Sequence, residues 1–176
     1  MSHYLVISAV GQDRPGIVNQ LSRAILDNGC NVEDSRMTVL GGEFALILMV
    51  SGGWDAIARL EDQTSSLQED LGLAIVARRT EQRADTLGLV PYEIDVVSMD
   101  HPGIVHEVAE FFSNRKINIE EMNTSSYAAA HTGTPMFSLK MTIAAPADIP
   151  IAQLRDEFAE FCDDLNLDAA LEPAAR

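Results

Sequence analysis

A chain of 176 residues, 47% hydrophobic and 22% charged, can bury a real core as one large or two small domains. It carries 12 basic against 27 acidic residues, a net charge of −15, and so lacks the cationic surface with which proteins grip nucleic-acid phosphates. No apolar run approaches the roughly 20 residues of a membrane-spanning helix, and two cysteines, Cys30 and Cys162, are too few for a disulfide framework.

Met1-Ser2-His3-Tyr4 leads straight into a strand-like run, with no basic then apolar leader, and both cysteines sit among core-like residues. A cytoplasmic location is expected. Alternation and turn signals predict a strand over Tyr4–Val10, a helix over Gly16–Asn28 and strands over Val32–Leu40 and Glu43–Ser51. Gly41-Gly42 marks a tight hairpin between the last two. A helix over Asp55–Leu71 and a strand over Leu73–Arg79 follow. Thr64 is the one polar misfit on the apolar face of that helix, among Ile57, Leu60, Leu67 and Leu71.

The pattern then starts again. Asp13-Arg14-Pro15-Gly16-Ile17-Val18 recurs as Asp100-His101-Pro102-Gly103-Ile104-Val105, and Asn31-Val32-Glu33-Asp34 as Asn118-Ile119-Glu120-Glu121, at one constant offset. Between them Ile17, Leu21 and Ile25 map onto Ile104, Val108 and Phe112, each set on one helix face. The register shifts where the second copy gains residues near Ala128 to Pro135, an expected hairpin tip. Its predicted elements are Tyr92–Met99, Gly103–Arg115, Asn118–Tyr127, Met136–Ala144, Pro150–Leu165 and Asn166–Leu171. Each copy reads βαββαβ, the split-βαβ, ferredoxin-like arrangement, so the fold class is α+β with two tandem domains. The expected division is 1–80, a polar linker over 81–90, and 91–176.

The turn after the first strand of each copy is the candidate site. Proline suits a first helical turn, glycine lets a ligand approach the backbone, and free N–H groups at a helix start attract a carboxylate. Asp13 and Asp100 could cap the helix or hold an ammonium group. The candidate ligand-binding residues are Asp13, Pro15, Gly16, Ile17 and Asn31, with Asp100, Pro102, Gly103, Ile104 and Asn118. Helix capping, and turn formation for the two asparagines, are the structural alternatives.

Catalysis finds little support. His3, His101, His106 and His131 make no metal-binding spacing, and no phosphate loop, dinucleotide fingerprint or nucleophile elbow is present. No cofactor, no metal and no enzymatic activity are expected. Glu33-Asp34 and Glu120-Glu121 are adjacent in predicted strands, which sends each pair to opposite faces.

Asp13 to Val18 followed by Gly29-Cys30-Asn31-Val32-Glu33-Asp34 resembles the ACT domain, the βαββαβ module that senses amino acids, and the second copy resembles it equally. Two such domains with nothing attached look like the glycine cleavage system transcriptional repressor family. The resemblance implies side-by-side pairing of ACT domains, with a ligand between the first loop of one and the second strand of its neighbour. It also implies a non-enzymatic regulator that senses an amino acid, glycine above all, and binds a transcription activator of the glycine cleavage operon. The charge fits a regulator that does not touch DNA itself. It serves solubility and could present an acidic face to a basic partner. The competing class is an amino-acid-sensing regulatory subunit of a metabolic enzyme. Edge strands need pairing or covering, which a homodimer would supply.

Overall fold

The computed structural model describes residues 2–83 and 88–174. The chain divides into two compact units, Met1–Ala84 and Asp85–Arg176. Of the expected linker, residues 84–87 lie outside the described residues.

The first unit runs β1 (His3–Gln12), α1 (Ile17–Asp27), β2 (Asn31–Leu40), β3 (Glu43–Gly52), α2 (Trp54–Asp62), α3 (Thr64–Leu71) and β4 (Ala74–Thr80). The second runs β5 (Leu89–Met99), α4 (Ile104–Ser113), β6 (Asn118–Ala128), β7 (Pro135–Pro146), α5 (Ile151–Asp164) and β8 (Asp168–Pro173). Both sheets are four-stranded and antiparallel, ordered β2-β3-β1-β4 and β6-β7-β5-β8. The α+β, ferredoxin-like reading therefore holds in both units.

Alternation builds each core. Leu5, Ile7 and Ala9 of β1 and Phe44, Leu46, Leu48 and Val50 of β3 face the helices, where Ile17, Leu21, Ile25, Ile57 and Leu60 meet them. Each aliphatic side chain so buried contributes about 1.5–3 kcal/mol. The second core uses Ile94, Val96, Leu139, Met141 and Ile143 against Ile104, Val108, Leu154 and Phe158. Phe111, Phe112, Phe158 and Phe161 cluster there, with ring centroids 4.9–5.2 Å apart for the pairs that include Phe111. At the hairpin of the first unit Gly41 and Gly42 both have positive φ, 59° and 86°, as a two-residue turn that follows the strand twist demands.

Three features stand out, two of them boundaries that differ from expectation. The helix expected over Asp55–Leu71 is two helices, broken at Gln63. Thr64 Oγ1 donates to the Leu60 carbonyl at 3.3 Å and Ser66 Oγ to the Gln63 carbonyl at 2.9 Å, so hydroxyls compete with the backbone ladder there. The buried Asn28 holds the break: its Nδ2 donates to Gln63 Oε1 and to the Ala24 carbonyl, each at 2.8 Å. In the second unit Phe158 replaces Thr64 and α5 runs unbroken. Second, β5 starts at Leu89 rather than Tyr92, because Leu89 and Val90 pair with Pro146 and Ala145. Third, β2 is exposed along its whole length, an edge strand that the helices do not cover.

Trp54, the single tryptophan, opens α2 and is largely exposed. The Arg79 guanidinium lies 5.9 Å from its ring centroid, within cation–π range, and its Nε donates to Glu61 at 2.8 Å.

Candidate functional site

The two Asp-x-Pro-Gly loops fold alike. β1 ends at Gln12, and the Asp13 N–H donates to the Gly42 carbonyl at 3.0 Å, tying the loop to the neighbouring hairpin. In the second unit the Asp100 N–H donates to the Pro135 carbonyl at 2.9 Å. The helix N-caps are Gly16 and Gly103, both left-handed, with φ of 94° and 100°. A left-handed residue cannot belong to the helix, so α1 and α4 begin at Ile17 and Ile104. Pro15 and Pro102 therefore precede the cap instead of occupying the first helical turn.

Neither helix has a side-chain cap, so Asp13 and Asp100 do not serve as caps. Asp100 Oδ2 instead accepts from Ser126 Oγ at 3.2 Å. The N–H groups of the first helical turn, which an α-helix leaves without internal partners, are what each loop presents. Ile17 and Ile104 are each 2% exposed. Their side chains belong to the core, and only their backbone could meet a ligand. Arg14 NH2 donates to the Leu71 carbonyl at 3.0 Å, anchoring the first loop to the negative end of α3.

Two polar residues near the glycines escaped the sequence reading. A Cβ at Gly16 would lie 3.7 Å from Gln20 Nε2, and one at Gly103 would lie 3.8 Å from Glu107 Oε1. Glu107 Oε2 is buried with no hydrogen-bond partner among the described residues. The available signal was a polar residue four places after the glycine in both copies.

Asn31 and Asn118 stand elsewhere. Leu40 and Gln12 both lie opposite Glu43 at one end of the first sheet, whereas Asn31 lies opposite Ser51 at the other. At about 3.3 Å per residue the ten-residue β2 separates its ends by roughly 30 Å. Asn118 is likewise opposite Ala144, far from the Met99–Met136 end where the second loop begins. Within one unit, then, loop and asparagine do not meet.

At the asparagines each strand bulges, between Val32 and Asp34 and between Ile119 and Glu121. Asn31 Nδ2 donates to Glu33 Oε1 at 3.3 Å, Ser51 Oγ donates to the same oxygen, and Asn118 Nδ2 donates to Glu120 Oε1 at 2.7 Å. The Ser51 hydroxyl, then the Asn31 amide, holds the Glu33 carboxyl below the usual glutamate value. The bulge corrects the sequence reading of these acids. Asp34 lies opposite Met49 and Glu33 bonds to Ser51, so both reach the face of the sheet turned away from the helices.

Two clefts border these segments in the second unit. One of about 420 Å³ is lined by His101, Gly103, Ile104, Val105, His106 and Phe137, and one of about 430 Å³ by Ala109, Ser113, Lys116, Ile117, Asn118 and Ile119. Among the described residues, no group of three His, Cys, Asp or Glu is placed to hold a metal ion. Cys30 and Cys162 are buried thiols. Burial raises both, Cys162 to about 12, which removes thiolate character at neutral pH. Among the described residues, no helix is long and apolar enough to cross a membrane.

Residues 3–78 match the ACT domain family. The chain is 33% identical over 169 residues to the glycine cleavage system transcriptional repressor of Escherichia coli, covering 96% of this chain and 89% of that protein. Two solved structures share the fold over nearly the full length. An unknown protein from Galdieria sulphuraria is 29% identical with a TM-score of 0.82, covering 99% of this chain and 100% of its own. A candidate glycine cleavage system transcriptional repressor is 28% identical with a TM-score of 0.75, covering 100% and 99%. On that identity and coverage, the chain belongs to the glycine cleavage system transcriptional repressor family, regulators built on the ACT fold and not enzymes.

Proposed function

We propose that the chain senses a small amino acid, glycine foremost, and relays its presence to a transcription activator of the glycine cleavage operon. The observation that carries this reading is the repeated loop. Both units place an uncapped helix start behind a left-handed glycine, with an aspartate three residues earlier. Uncapped N–H groups suit a ligand carboxylate, and Asp13 or Asp100 suits its ammonium group. A zwitterionic amino acid satisfies both, and glycine adds no side chain that must be housed. The relative's name supplies the operon. The net charge of −15 favours a protein partner over direct contact with DNA. Ligand binding would act by favouring the arrangement of the chain that the partner recognises. A cytoplasmic location follows from this role.

The test is isothermal titration of the full chain with glycine, then serine and a wider amino-acid panel. Saturable glycine binding that is lost in an Asp13→Ala/Asp100→Ala variant supports the reading. Binding that this variant retains would move the site away from the loops. No binding to any amino acid would sink the sensor and leave a protein-interaction module.

A further inference from the structure

We propose that the open sheet face of the first unit, the face turned away from its helices, packs against the same face of a second copy of this chain. This stands apart from amino-acid sensing and holds whether or not that reading does.

The strand registers line up three cross-strand rows on that face. They are Arg36–Ile47–Ser8–Val76, Asp34–Met49–Val6–Arg78 and Thr38–Ala45–Val10–Ala74. The same rows in the second unit read Asn123–Lys140–Asp95–Ala170, Glu121–Thr142–Glu93–Glu172 and Ser125–Ser138–Val97–Asp168. The backbone frame is the same, so the fold itself does not dictate what these positions hold. The second unit fills them with a composition that suits water. The first places Val6, Ile47 and Met49 where the second carries Glu93, Lys140 and Thr142.

Val10, Ile47 and Val76 remain 49%, 50% and 55% exposed in the chain. Ile47 and Val76 flank Ser8 in one row and Val10 lies diagonal to both in the next, between Ala45 and Ala74, so the apolar side chains gather around the middle of the face. Four strands at about 4.8 Å and eight residues at about 3.4 Å give a face of roughly 500 Å² in plan. Two such faces reach roughly the 1,000 Å² that a specific interface requires. Sheets stack face to face about 10 Å apart with their strands nearly aligned, so the shape is self-complementary.

Charge placement selects a second copy as the occupant. The central row has an acid at one edge, Asp34, which also pairs with Arg36 two residues along its own strand, and a base at the other, Arg78, with Met49 and Val6 between them. A two-fold axis parallel to the strands, running between β1 and β3, keeps each row level and reverses its order. Asp34 then faces the partner's Arg78, Arg78 faces the partner's Asp34, and Met49 faces the partner's Val6. Such isologous matching is what a closed dimer requires, and the edge charges fix its register. The equivalent row of the second unit would set carboxylates against carboxylates, so that face does not self-associate this way.

The experiment is analytical ultracentrifugation of the full chain across a concentration series. Val6→Glu/Ile47→Lys introduces the residues the second unit already carries at those positions, so the sheet accommodates them. The expected result is a particle whose mass falls by half in this variant, with circular dichroism unchanged. Asp34→Arg and Arg78→Asp should each weaken association about tenfold, and the double swap should restore it. If Val6→Glu/Ile47→Lys loses its circular dichroism signal, the charge series carries the test alone. A monomeric wild-type chain overturns the proposal, as does an assembly whose mass the face variant leaves unchanged. A double swap that restores nothing overturns the two-fold placement.

Discussion

Gly16 and Gly103 have room around them, since a Cβ added at either would find its nearest neighbour 3.7 or 3.8 Å away, yet their φ angles of 94° and 100° admit few side chains. The conformation, and not the space, excludes other residues. Gly16→Ala or Gly103→Ala should cost about 1–2 kcal/mol. Urea unfolding of the full chain measures it, and an unchanged midpoint would refute the left-handed cap. A branched residue such as valine would confuse a lost ligand with a strained loop, which is why the aspartates are the better probes of binding. The glycines stood out in the sequence by their recurrence. Their role as caps was not legible, because Asp-x-Pro-Gly before an apolar face also reads as an aspartate cap with proline in the first turn. The left-handed glycine moves the helix start past the proline and leaves the aspartate uncommitted to the helix.

Among the elements, the strands and helices were legible because their periods differ and because each was written twice. What escaped lies where a single side chain overrides a period. Thr64 stands at the break of one helix and donates its hydroxyl to the Leu60 carbonyl, and the counterpart helix with Phe158 does not break. Thr64→Leu should join α2 and α3 and stabilise the unit by about 0.5–1 kcal/mol, read as a later urea midpoint with a stronger helical dichroism signal. If neither changes, the Asn28–Gln63 hydrogen bond sets the break instead. Glu33 escaped for a related reason. One inserted residue leaves no mark on strict alternation, so the bulge that brings Glu33 and Asp34 to the same face is visible only in the pairing. Leu89 and Val90 read as the end of a polar linker, whereas their pairing with β7 makes them strand.

For the molecule as a whole, the duplication made the architecture legible, whereas the distance between loop and asparagine within a unit shows only in the strand pairing. Asn31 follows the loop closely along the chain and yet sits at the far end of the sheet, since a helix and a turn carry the backbone across it. The acidic balance also has a consequence for stability. Hydrogen bonds and Arg neighbours hold Glu33, Asp34, Asp55 and Glu157 below their usual values. For Glu157 the first cause is Arg115, which donates from Nε and NH2 at 3.0 and 2.8 Å. A carboxyl depressed in the fold stabilises it fully above its unfolded value, 3.8 for aspartate and 4.5 for glutamate. That contribution is lost as pH falls through the lower folded values. Unfolding followed from neutral to acid pH should therefore show stability dropping below about pH 4.5. Glu157→Gln should drop less steeply, and an equal slope would mean the Arg115 contact contributes nothing. The lone indole of Trp54 adds something different. Every tryptophan photon the chain emits originates in the first unit, from a ring that lies beside the Arg79 guanidinium. The protein thus carries an intrinsic optical label on one of its two like-folded halves, and the second half adds nothing to the indole signal.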